Sequence, residues 1–98
     1  MTDLRTLHSE DQRLRILQYL AAQGDYTAHE DLIGQGLAAH GHRVGRDVVR
    51  GQLTWLAEQG LVQLQAPGGF HVATVTRRGS ELAQGVGSHP GVARVLPD

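Results

Sequence analysis

The stretch from Arg43 to Gln65, RVGRDVVRGQLTWLAEQGLVQLQ, constrains the fold more than any other part of the chain. Val49, Leu53 and Leu56 recur at i, i+4 and i+7, so they share one helical face. Asp47, Arg50, Gly51, Thr54 and Glu58 fall on or near the opposite face, and Arg46 sits at the N-terminal flank. Gly60 follows, able to take the left-handed backbone that closes a helix. Leu61 to Gln65 then alternates partly, as a half-buried strand does. The expectation is an amphipathic helix with arginines at the start of its outer face, running directly into a strand.

The flanking segments are read around this unit. Residues 1–8 are expected to form a flexible arm. Ser9 and Gln12 make a capping box for a first helix over Glu10–Gln23, with Leu14, Leu17, Leu20 and Ala21 as its stripe and Gly24 as its stop. Thr27-Ala28-His29-Glu30 reads as a second capping box, opening a helix that carries Leu32, Ile33, Leu37 and Ala38. Gly34 and Gly36 weaken that helix, each by up to ~1 kcal/mol relative to Ala. The connection His40–Gly45 is short, so the next helix packs nearby at an angle, as in a helix-turn-helix. The third helix has no strong side-chain cap at Val44 or Gly45.

Pro67-Gly68-Gly69 signals a tight turn between the strand ending at Gln65 and a second over Phe70–Val75. Thr76 caps a last helix running to about Gln84. Residues 85–98, with three glycines and two prolines, read as an extended tail. The expected fold is mainly α with a small β-hairpin, a winged helix-turn-helix over residues 9–84. The hairpin covers the side that three small helices leave open.

Ninety-eight residues make one domain with a single modest core. The absence of cysteine excludes a disulfide framework and a thiolate zinc site. No stretch approaches the roughly 18 apolar residues of a spanning helix. The N-terminus lacks a basic segment followed by an apolar one, so no membrane association is expected and the cytoplasm is the default location. A net charge of −1 argues against strong nonspecific nucleic-acid binding. The distribution softens this: residues 1–42 carry three arginines against six carboxylates, residues 43–81 five against three. Every basic residue is Arg, which makes bidentate contacts that Lys cannot, although GC-rich codon usage gives the same bias.

The segment VVRGQLTWLAEQGLVQL, followed by Pro67-Gly68-Gly69, a strand and Thr76-Arg77-Arg78-Gly79, resembles winged-helix regulators of the ArsR and MarR type. The run RLRILQYLAAQGDYTAHEDLI, the GHRVGRDVVR junction and the tail PGVAR resemble a family of small ArsR-like proteins of Mu-like prophages, over roughly residues 10–95. The resemblance implies a phage-encoded DNA-binding or DNA-associated protein. Thiolate metal sensing, known in ArsR members, does not carry over to a chain without cysteine.

Arg46 and Arg50 are the first candidate contacts. The opening turns of such a helix approach base edges in the major groove, where a bidentate Arg–guanine pair is worth about 1–3 kcal/mol of discrimination. Arg43 adds charge just ahead of them, and Thr54 is placed to donate to a phosphate. Arg77 and Arg78, at the base of the hairpin, would grip backbone phosphates. The plainer reading of each pair is a solvated one, with Asp47 bonding one of the first and Glu81 one of the second. The wing tip carries no basic residue, unusual for a minor-groove wing. Trp55, beside Val48 and off the main stripe, either packs beneath the hairpin or faces a second subunit. His40, His42 and His29 are the one conceivable metal set, but without a well-spaced carboxylate no metal site is assigned. No cofactor is expected, and no phosphate loop, nucleophile elbow or HExxH is present, so an enzyme is not expected. The expected partner is double-stranded DNA, bound by a homodimer. The alternative is an adaptor that contacts another phage protein without DNA.

Overall fold

A computed structural model describes residues 3–96. Residues 1–2 of the expected arm and 97–98 of the expected tail lie outside the described residues. In chain order the elements are α1 (Leu4–Ala21), β1 (Thr27–His29), α2 (Glu30–Ala39), α3 (Arg46–Glu58), β2 (Val62–Gln65), β3 (Val72–Val75) and α4 (Arg77–Ala83). Among the described residues the protein is thus four α-helices, a short 3-10 turn at Pro67–Gly69 and a three-stranded antiparallel sheet of order β1-β3-β2.

Helix α1 starts six residues earlier than the capping box at Ser9 predicts. Asp3 is the cap, its carboxylate accepting from the Thr6 N–H at 2.8 Å. Leu4 and Leu7 remain exposed, so the first turns rest on capping and helix propensity instead of burial. Farther along, Leu14, Ile16, Leu17 and Leu20 enter the core with Ile33, Leu37, Val49, Leu53 and Leu56. Gly36, expected to weaken α2, allows it to approach α1: a Cβ there would stand 2.7 Å from the Tyr19 ring.

Strand β1 is the main departure from the sequence reading. Thr27 does not cap α2. It pairs with Thr74, the two hydroxyls 2.7 Å apart, and Ala28 and His29 continue the ladder against Ala73 and Val72. The cap of α2 is His29, whose Nδ1 accepts from the Asp31 N–H. Three residues are too few to show a period of two, and the same residues imitate a capping box.

The join from α3 to β2 follows the expected pattern. Gly60 adopts φ +74°, the left-handed conformation that ends α3, and the Leu61 N–H bonds Leu56 O at 2.9 Å. Leu61 and Val62 are then buried, as are Ala73 and Val75 on the facing strand. Thr76 caps α4 as expected, accepting from the Gly79 N–H at 3.2 Å. The segment after α4 docks on the body: Val92 is buried in the core and the Ala93 N–H bonds Glu10 O at 3.1 Å.

Candidate nucleic-acid interface

Helix α3 has two unlike sides. Val49, Leu53 and Leu56 are at most 2% exposed, whereas Arg46, Asp47, Val48, Gly51, Thr54 and Glu58 are all exposed. Its cap is Gly45, which offers no side-chain acceptor, so the amide groups of the first turn are left without a side-chain cap. The acidic Asp47 lies in that turn.

Arg46 and Arg50 meet at a buried carboxylate. Glu30, 2% exposed, accepts from Arg50 Nε on both oxygens at 3.1 and 2.9 Å, and its Oε2 lies 3.1 Å from Arg46 Nε. The His71 backbone N–H donates to the same carboxylate. Arg46 also reaches Asp31 at 2.9 Å, and its guanidinium stands 5.4 Å from the centre of the Phe70 ring. Arg50 donates to Gly69 O at 3.1 Å. The hydrogen bond from Arg50 holds the Glu30 carboxyl below the usual glutamate range against the opposing effect of burial, assisted by the His71 N–H and by the charges of Arg50 and Arg46. One carboxylate thereby ties α2, α3 and the hairpin tip together.

The two arginines therefore differ. The Arg50 side chain is 34% exposed and spends its donors on Glu30 and the hairpin, so it acts as a strut. The Arg46 side chain is 52% exposed and keeps one edge toward solvent. Neither pairs with Asp47, the partner the plainer reading expects; the carboxylates come from α2. Glu30, Asp31, Gly69 and His71 were not read as site residues from the sequence. Acidic residues at a helix start look like dipole complements, and nothing local points Glu30 across to α3.

The other candidates are scattered around this centre. Arg43 is exposed just ahead of α3, and Thr54 is exposed on its outward side. Arg77 and Arg78 are exposed at the start of α4, beside the C-terminal end of α3, where Thr76 Oγ1 bonds Gly60 O. The length of α3 separates them from Arg46 by roughly 18 Å along the axis. Val48 is 40% exposed. Trp55 packs under the C-terminal segment, with the Arg13 guanidinium 3.9 Å from its ring centre.

The three candidate histidines, His29, His40 and His42, form no metal-ligating cluster. His29 caps α2 and tilts against Phe70, and His40 ends α2. His42 bonds Asp11 of α1 at 2.7 Å. Burial raises the Asp11 carboxyl, but the His42 bond and the neighbouring Arg15 charge outweigh it and leave it below the usual range. Among the described residues no group of three or more His, Cys, Asp or Glu side chains is arranged to hold a metal ion, and no helix is long and apolar enough to cross a membrane.

No protein-family model matches the chain. It is 46% identical over 89 residues to the uncharacterized protein gp26 of Escherichia phage Mu, an alignment covering 91% of this chain and 92% of gp26. It is also 43% identical over 75 residues to an uncharacterized protein of Haemophilus influenzae, covering 76% of this chain and 72% of that protein. At this identity and coverage, the chain belongs to the family of phage Mu gp26.

Proposed function

We propose that the domain is a winged helix-turn-helix that binds duplex DNA as a phage-associated transcriptional regulator, with the N-terminal half of α3 in the major groove. The helix–strand–helix–helix–strand–strand order and the β1-β3-β2 sheet support the fold reading. In it α2 and α3 are the helix-turn-helix pair and β2–β3 the wing. The outward side of α3 carries the functional reading: it stays exposed from Arg46 to Glu58 while the opposite side is sealed in the core.

Arg43 and Arg46 flank the uncapped first turn of α3, and a phosphate oxygen there would meet backbone N–H groups and two guanidinium groups together. Arg50 and Glu30 set the distance between α3 and the wing. Thr54 lies farther along the same side. Arg77 and Arg78 would reach only a duplex that extends past the far end of α3, so their share is the smaller.

Fluorescence anisotropy with a labelled random-sequence duplex over a salt series tests this. The wild-type chain should bind at low salt, and the Arg43→Ala/Arg46→Ala variant should bind more weakly with a salt slope lower by about two. A variant with the wild-type slope would remove these residues from the interface. A wild-type chain that fails to bind at low salt would remove the DNA reading.

One observation favours a second reading, a protein adaptor. Glu30 and Asp31 neutralise the two arginines at the start of α3, leaving that side with little net charge beside the exposed Val48. Flow-through on a heparin column at low salt is the result that reading expects.

A further inference from the structure

The far end of α3 carries a second built surface, independent of the DNA reading. The segment His89 to Ala93 lies across α1 and α3 and is read there in sequence detail. Arg13 Nη1 donates to Gly91 O at 2.9 Å. The same guanidinium is aimed by Gln52, which accepts from Arg13 Nε at 2.8 Å and is itself anchored on Gln12 at 3.0 Å. His89 Nδ1 accepts from the Gly91 N–H at 3.0 Å, so Nε2 carries the proton and donates to Gln59 Oε1, also at 3.0 Å. The Val92 side chain enters the core, and the Ala93 N–H bonds Glu10 O.

Trp55 is the floor of this surface. Arg13 covers one part of its ring and His89 meets it edge-on at 5.3 Å. Gly91 lies so close that an added Cβ would stand 2.5 Å from Trp55 Cζ2 and 2.6 Å from Cη2. The surface thus accepts a turn with a residue lacking a side chain over the indole, a histidine two positions before it and a small apolar residue one position after. Its link to α4 is short and bends at Gly85 and Gly87, with φ of +85° and +78°, around an exposed Val86.

We propose that the α1–α3 surface around Trp55 is a recognition groove for the His89-Pro90-Gly91-Val92 turn, and that the tail is an exchangeable occupant: the same turn from a second copy of the chain fills the groove when the resident one leaves. The donors and the floor are matched to this sequence, and every copy carries it. The resident tail competes at the high effective concentration of a short tether, so it holds the groove until it is weakened.

The chain has a single tryptophan, so its emission reports the groove directly. A full-length Gly91→Ala chain should seat its own tail less tightly, because the added Cβ forces the Trp55 ring or the turn to shift. A peptide of residues 85–96 titrated into that chain should change the Trp55 emission saturably, with binding about tenfold or more tighter than to the wild-type chain. A peptide carrying Gly91→Ala should give no response. A His89→Ala chain, which keeps every lining residue and loosens the tail outside the core, should also bind the wild-type peptide more tightly than wild type does. If neither variant responds to the wild-type peptide, the tail is a fixed part of the fold and the proposal fails, even if Gly91→Ala does not fold. Equal responses to both peptides would also overturn it, because the close approach at Gly91 would then carry no recognition.

Discussion

The two ends of α3 are held by opposite chemistry. At the N-terminal end, Arg46 and Arg50 converge on a carboxylate from α2 that is removed from water. At the C-terminal half, Trp55 is covered by a guanidinium face, an imidazole edge and a glycine, and the hydrogen bonds around it pass through neutral amides. A buried carboxylate is stable only while its cations stay, so the first end is costly to disturb and sensitive to protons. The second depends on shape. The end proposed to work on DNA is therefore the rigid one, and the end proposed to exchange its cover is the one without a buried carboxylate.

Removing the charge centre should separate the two ends most strongly. Glu30→Ala leaves Arg46, Arg50 and the His71 N–H without their shared acceptor. Both guanidinium groups keep some solvent, so the loss should be about 3 kcal/mol, at the low end for a broken buried pair. Urea denaturation measures it, and a loss under about 1 kcal/mol would mean the cluster is not what holds the hairpin tip. Trp55→Ala should cost less, about 2 kcal/mol, because the ring is half-buried, below the range for fully buried aromatics. Its cost should not depend on salt.

Acid should weaken the first end selectively. The Glu30 carboxyl is lowered in the folded state, so that state binds fewer protons than the unfolded chain. Its contribution is complete above the unfolded glutamate value, about pH 4.3, and is lost as pH falls through the lower folded value. Stability of wild type and Glu30→Gln followed from pH 6 downward should converge in that window; parallel curves would contradict the assignment. The smallest effect belongs to Arg43→Ala. The residue is exposed and has no hydrogen-bond or ion-pair partner among the described residues, so stability should change by less than about 0.5 kcal/mol.

How much of this was legible in the sequence follows the range of the interactions. The stripe of α3, its stop at Gly60, the strand behind it and the Thr76 cap are local patterns, and each is present as read. Strand β1 was hidden because its three residues owe their conformation to Thr74, Ala73 and Val72, more than forty positions away. The start of α1 was hidden for another reason: Asp3 and Ser9 are both good caps, and the exposed Leu4 and Leu7 give no burial pattern to choose between them. At the candidate site, the exposure of Gly51 and Thr54 on the outer face of α3 was readable from helical phase. The convergence of Arg46 and Arg50 on Glu30 was not, because it depends on how α2 and α3 cross. Trp55 was recognised as a packing residue, but its cover proved to be the tail instead of the hairpin.

The most direct test of the α3 reading is a map of backbone amide shifts by heteronuclear NMR as a short duplex is added at low salt. Changes concentrated at residues 43–54 and 67–70, with the amides around Trp55 and residues 89–93 unmoved, are the predicted result. Shifts confined to α1, α4 or the tail, or none at all, would contradict it.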